Sequence, residues 1–151
     1  MILKDLSLRD FRSYETAEYA FSPDVNIICG DNGRGKTNLL EAIAYMSCGK
    51  SPRAHADREL IGFEKDSARL FGVIESRERE FKTDITLQKG RRRKITINGV
   101  PAKNAAALSD VLHTVFFSPE DLYLIREGAA ARRRFMDISL SQLRPRYAEA
   151  L

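Results

Sequence analysis

The chain has 151 residues, 43% apolar and 30% charged, with a formal net charge of +4, a composition that excludes wholesale disorder and gives one domain a proper core. The positive balance leans toward a polyanionic partner without establishing one, and two cysteines (Cys29, Cys48) and two distant histidines (His55, His113) give neither a disulfide framework nor metal-ligand spacing. Charges at Lys4, Asp5, Arg9 and Asp10 interrupt the N-terminal segment, and no apolar run nears the ~20 residues that span a bilayer, so no membrane association is expected and a cytoplasmic protein is the default.

In chain order, Ile2, Leu3, Leu6, Leu8 and Phe11 interleave with charges as in a half-buried strand, and Glu15 to Phe21 reads as its partner before a turn at Ser22-Pro23-Asp24. Val25 to Cys29 is an apolar run that predicts a buried strand. A glycine-rich loop follows, then a helix over Lys36 to Cys48, with Leu39, Leu40, Ile43 and Met46 on one face and Gly49 at its end. Lys50 to Asp57 is a loop. Ala68 to Ser76, Glu80 to Gln88 and Lys94 to Asn98 predict strands, and Asn98-Gly99 signals a tight turn. Ala102 to Leu112 predicts a helix and Thr114 to Phe117 a short strand; helices then follow over Ser118 to about Arg126 and Ala130 to Leu143. Pro145 opens a stretch that stops as a new element begins, which reads as a fragment of a longer chain.

Gly30-Asp31-Asn32-Gly33-Arg34-Gly35-Lys36-Thr37 matches the P-loop pattern G-x-x-x-x-G-K-S/T at every fixed position, with a strand pattern before it and an amphipathic helix after it. Glycines let the backbone turn around a phosphate and aim N–H groups at it, and the helix directs its positive dipole end at the same anion. Lys36 would reach the β- and γ-phosphates, and the Thr37 hydroxyl would serve Mg²⁺. A second metal carboxylate, four apolar residues ending in Asp, has no good match. The nearest segment, Val115 to Asp121, reads better as a helix start, with Ser118 as N-cap and Pro119 at the first helical position.

Four stretches resemble the RecF family of ABC-type ATPases, which is related to SMC heads. They are Leu6 to Tyr14, similar to that family's opening strand and N-F-R-S/N-Y signature; Gly30 to Ile43; Val115 to Leu122; and Arg132 to Asp137, close to R-R-x-F-L-D. Weaker likeness at Lys50-Ser51-x-Arg53 and Asp57-x-Glu59-Leu60-Ile61 fills the gaps. The resemblance implies an α/β fold, a P-loop NTPase of the ABC-type head with a mixed sheet around the P-loop helix. It implies that ATP and Mg²⁺ bind at Gly30, Gly33, Gly35, Lys36 and Thr37, with Asn32, Arg34 and Asn38 lining the loop and Arg12 reaching the phosphates. The helical arm, the Ser-Gly signature and the second metal carboxylate would follow residue 151, so residues 1–151 would be the N-terminal part of the head. At Ser118 the sequence has Ser-Pro-Glu where relatives carry a Q-loop glutamine.

The function so implied is ATP-controlled binding of single-stranded and gapped duplex DNA, in an ATP-dependent homodimer that works with RecO and RecR to place RecA. Weak ATPase activity is expected only in that full-length dimer. Alternatives are another SMC-like head, a small P-loop kinase, or a nucleotide-gated module without turnover. Two basic runs could meet DNA backbone, Lys89 to Lys94 at a hairpin tip and Arg132 to Arg134 near a helix start; the competing readings are a charged turn and arginines compensated by Asp137.

Overall fold

The N-terminal alternation builds β1 (Ile2–Phe11), with Leu6, Leu8 and Phe11 buried along its inner face. The two-residue turn Arg12-Ser13 reverses the chain, and β2 (Tyr14–Ala20) returns antiparallel with Phe11 opposite Tyr14. Arg12 sits at φ 53, the left-handed conformation that such a turn demands and that a side-chain-bearing residue enters at a cost of roughly 1–2 kcal/mol. The computed structural model describes residues 1–119, 128–144 and 147.

β3 (Ser67–Ser76) pairs with the other edge of β1, and β4 (Arg79–Gln88), β5 (Lys94–Ile97) and β6 (Val100–Pro101) continue outward in the order β2-β1-β3-β4-β5-β6. Every neighbouring pair is antiparallel. Asn98 and Gly99, both at positive φ, form the tight turn between β5 and β6, as the Asn-Gly pair predicts.

The helix α1 (Lys36–Cys48) covers the inner face of this sheet, joining Leu39, Ala42, Tyr45 and Met46 to a core with Leu6, Leu8, Leu70, Ile74, Ile85 and Leu87. Its two ends differ. Thr37 and Leu40 near its start are exposed, whereas Ala44 to Cys48 are all buried, because α2 (Ala106–Ser109) and the 50s loop enclose that end. Leu40, placed by periodicity on the apolar face, is therefore turned to solvent, and Tyr45 fills the core instead. Gly49 ends the helix at φ 64, its N–H bonded to the Tyr45 carbonyl.

The α/β class and the central P-loop helix are as expected, with two strand assignments corrected. Residues 25–29 carry no ladder among the described residues, leaving Val25 and Ile27 exposed. Residues 114–117 likewise carry no strand ladder among the described residues, and Val115 and Phe117 are exposed. Apolar composition makes such runs compatible with a strand, but a strand needs a neighbour to take its backbone hydrogen bonds. No parallel pair, and so no mixed sheet, occurs among the described residues. The helix expected over Ala102 to Leu112 shrinks to α2, because Ala102 still donates to Ile95 in continuation of the sheet. α3 (Ala129–Leu143) forms where the sequence places it. Most of the helix expected from Ser118 to Arg126, and the stretch after Pro145 apart from Tyr147, lie outside the described residues.

Candidate nucleotide-binding site

The loop from Gly30 leads directly into α1, and Gly30, Gly33 and Gly35 all adopt positive φ (147, 81 and 93). Gly35 is the N-cap and offers no side chain to the helix, while the first turn carries no acidic residue. The uncapped N–H groups at the start of α1 and the dipole behind them are thus left to an external anion. Lys36 folds back over the loop, donating from Nζ to the carbonyls of Gly30 (2.6 Å) and Asp31 (2.8 Å). Asn32, Arg34 and Thr37 are exposed around it. These donors suit a polyphosphate: a flexible ammonium, backbone N–H groups and a hydroxyl for a hydrated cation, with no acidic residue in the first turn of α1.

The β1–β2 turn clasps this loop from the side. Tyr14 donates from its hydroxyl to the Gly35 carbonyl (3.0 Å), and Asn38 donates from Nδ2 to Ser13 Oγ (2.9 Å). Gly35 is needed for that approach, because a Cβ there would lie 2.9 Å from Ser13 Oγ and 3.1 Å from Tyr14 Cζ. Asn38, expected to line the loop, is instead spent on Ser13 and on Arg53, whose Nη1 donates to its Oδ1 at 3.2 Å.

Arg12, at the end of β1, lies against α1. Its guanidinium forks onto Glu41, Nη2 to Oε1 at 2.7 Å and Nε to Oε2 at 3.0 Å, while Nη1 donates to the Glu59 carbonyl at 2.8 Å. Glu41 is completely buried and also accepts from Ser51 Oγ (2.5 Å) and Arg53 Nη1 (3.4 Å). Burial alone would raise its pKa, but the hydrogen bonds from Arg12 and Ser51 and the two guanidinium charges prevail and hold it below the usual carboxylate value. Sequence reading missed Glu41. Its signal was present, since an acidic residue among the apolar positions of a core helix requires a cationic partner.

The basic hairpin run divides. Arg93 turns inward, where Nη1 donates to the Tyr45 hydroxyl (2.9 Å), the Gly49 carbonyl and the Asp57 carboxylate (3.3 Å). There it tethers the C-terminal end of α1 and favours its dipole. Arg91 and Arg92 stay exposed at the tip, Arg92 donating to the Lys103 carbonyl (3.3 Å). In α3, Asp137 accepts from the Tyr147 hydroxyl at 2.7 Å. Asp137 and Arg133 also line a cleft of about 710 Å³ with Lys50, Asp57 and Arg93, away from the glycine loop.

Comparison with known proteins gives the family and the fold. The AAA domain family model matches residues 5–134. The DNA replication and repair protein RecF of Agathobacter rectalis is 43% identical over 143 residues, covering 95% of this chain and 40% of the relative. The chain thus spans about two fifths of the length of the curated relatives it matches. The solved structure of the recombination mediator protein RecF with ATP, in the RecFOR pathway, superposes with a TM-score of 0.88 at 33% identity, over 93% of this chain and 38% of that one. An SMC ATPase structure described for ATP-driven dimerisation shares the fold, with a TM-score of 0.71 at 21% identity, over 91% of this chain and 99% of that one.

Proposed function

The chain belongs to the AAA domain family, and on that premise we propose that it is the ATP-binding lobe of a RecF-type protein that binds DNA under ATP control in replication and recombinational repair. The observation that carries this reading is the glycine loop itself: α1 presents an uncapped N-terminus to it, and Lys36 lies across it on two carbonyls that a phosphate can replace. Gly30, Gly33 and Gly35 would bring the backbone to the phosphates. Lys36 would move to the β- and γ-oxygens, and Thr37 would give Mg²⁺ one oxygen, with phosphate and water supplying the others. Asn32 and Arg34, exposed on the loop, would border the same phosphates, and Arg12 would turn the unspent donors of its guanidinium toward them.

By likeness to its relatives, the longer protein would form an ATP-dependent homodimer on single-stranded or gapped duplex DNA and act with RecO and RecR in loading RecA. Its site would be cytoplasmic; among the described residues no helix is long and apolar enough to cross a membrane. Arg91, Arg92 and Lys94 at the hairpin tip would meet DNA through phosphate alone, without interleaved aromatic groups to stack on bases. The unbroken antiparallel series β3, β4, β5 after α1 disfavours a metabolite kinase, whose strands and helices alternate.

The test is gapped-duplex binding by the full-length protein, followed by fluorescence anisotropy with and without ATP. ATP should tighten binding, Lys36→Ala should abolish that response, and rising salt should weaken the complex. Equal affinity with and without ATP in the unaltered protein would overturn the reading.

A further inference from the structure

Beside the basic hairpin lies a cleft of about 290 Å³, bounded by the β4–β5 connection, the residues after α1, and the segment joining β6 to α2. Four cations line it, Lys50, Arg92, Arg93 and Lys103, and among the described residues no acidic side chain does. Arg93 is spent on Tyr45, Gly49 and the Asp57 carboxylate, and so forms a fixed wall. The other three make no ion pair among the described residues. Arg92 donates to the Lys103 carbonyl, which ties the hairpin to the opposite lip of the cleft. Asn104 and Ser109 add neutral polar groups to the lining.

Three unpaired cations from segments remote in sequence need a reason to meet. Surface lysines ordinarily spread into water, yet Lys50 is half-buried. It follows Gly49 at the end of α1, where the helix dipole favours one cation. Arg93 already holds that place through the Gly49 carbonyl, so the dipole does not account for Arg92 and Lys103 as well. A cleft walled by positive charge and free of carboxylates concentrates anions.

The neighbouring residues indicate which anion. Exposed Arg91 and Lys94 flank the cleft's Arg92 and Arg93 on the same hairpin, so positive charge continues past the cleft. A small free anion would be satisfied inside it, whereas a strand of evenly spaced phosphates would meet the flanking cations too. No aromatic residue lines the cleft, which suits contact with backbone and not with bases. We infer that this cleft seats the phosphodiester backbone of DNA, with Lys50, Arg92 and Lys103 as its contacts. The inference rests on the reading of the chain as a DNA-binding protein. It adds Lys50 and Lys103, which lie outside both basic runs of the sequence, and moves the centre of contact from the hairpin tip into the cleft.

The experiment is fluorescence anisotropy of a labelled gapped duplex bound by the full-length protein with saturating ATP, at salt concentrations from about 50 to about 200 mM. The variants are Lys50→Gln, Lys103→Gln, the two together, and Lys50→Arg, with Lys82→Gln on exposed β4 as a control of equal charge change. Each single change to Gln should weaken binding roughly fivefold at low salt and reduce the slope of log affinity against log salt by about 1. The double change should approach the product of the two losses. Lys50→Arg should bind as the unaltered protein does, and Lys82→Gln should alter neither affinity nor slope. Calorimetric ATP affinity should be the same in all of them, which separates the phosphates of DNA from those of the nucleotide. Unaltered DNA affinity and slope in the double variant would overturn this inference, assign the cleft to another anion such as an acidic protein segment, and leave the DNA-binding reading standing. An equal loss in Lys82→Gln, or a parallel loss of ATP affinity in Lys50→Gln, would overturn it as well. If the unaltered protein binds no DNA, the underlying reading falls and the inference with it. Should Lys50→Gln fail to fold, Lys103→Gln decides, because Lys103 is exposed and its change leaves Arg93 and its bonds in place.

Discussion

Replacing Gly35 by alanine tests whether the β1–β2 turn is fitted to the glycine loop. At φ 93 the new side chain would strain the backbone, a cost of roughly 1–2 kcal/mol. Its Cβ would also fall 2.9 Å from Ser13 Oγ, closer than real Cβ contacts, and 3.1 Å from the Tyr14 ring, tighter than most. The turn must then retreat, loosening the bonds from Tyr14 to Gly35 and from Asn38 to Ser13, each worth about 1 kcal/mol. The combined loss is about 2–4 kcal/mol. Gly33 supplies the control, because it has a similar φ of 81 but nothing within 4 Å of an added Cβ. Gly33→Ala should therefore show only the backbone strain, about 1–2 kcal/mol. Urea unfolding of the two variants, with free energies extrapolated to water, measures the difference. If Gly35→Ala costs no more than Gly33→Ala, the turn does not press on the loop and the clasp has no energetic weight.

Other consequences are equally direct. Arg93→Ala should destabilise the chain by about 2–3 kcal/mol in urea unfolding, since charge-assisted bonds to Tyr45, Gly49 and Asp57 are lost together. The same change should lower DNA affinity of the folded full-length protein less than Arg91→Gln does, because Arg93 faces inward. Thr83 has a fully buried hydroxyl with no hydrogen-bond partner among the described residues. Thr83→Val keeps the shape and removes that polar group, and should raise stability by about 1 kcal/mol, read from the shift of the urea midpoint. Acid stability should depend on Glu41, whose folded pKa lies below its free value of 4.5. Its contribution is complete above pH 4.5 and is lost as pH falls through the lowered folded value, so Glu41→Gln should flatten the unfolding free energy below pH 4.5.

Much of this was legible in the sequence because the signals are local. Alternation places β1 through β5, the glycine-rich motif marks the loop, and Asn98-Gly99 marks its turn. What escaped depends on partners distant in the chain. Val25 to Cys29 has the composition of a buried strand, yet composition says nothing of a neighbouring strand, and Val25 and Ile27 stay exposed. Arg93 is one of five cations in six residues, and nothing local separates it from Arg91. Only the fold brings it to Tyr45 and Asp57, 48 and 36 positions away. Arg12 was singled out for phosphate, but its partner Glu41, 29 residues further on, sets where its guanidinium rests.

The most direct measurement is ATP binding by the full-length protein, titrated calorimetrically for the unaltered chain and for Lys36→Ala. If the glycine loop is the nucleotide site, the unaltered protein saturates and Lys36→Ala binds at least about tenfold more weakly, the loss of one charge-assisted contact to phosphate. Saturation at the same affinity in both would mean that ATP binds elsewhere or without this loop, and the assignment of Gly30 to Thr37 would fail.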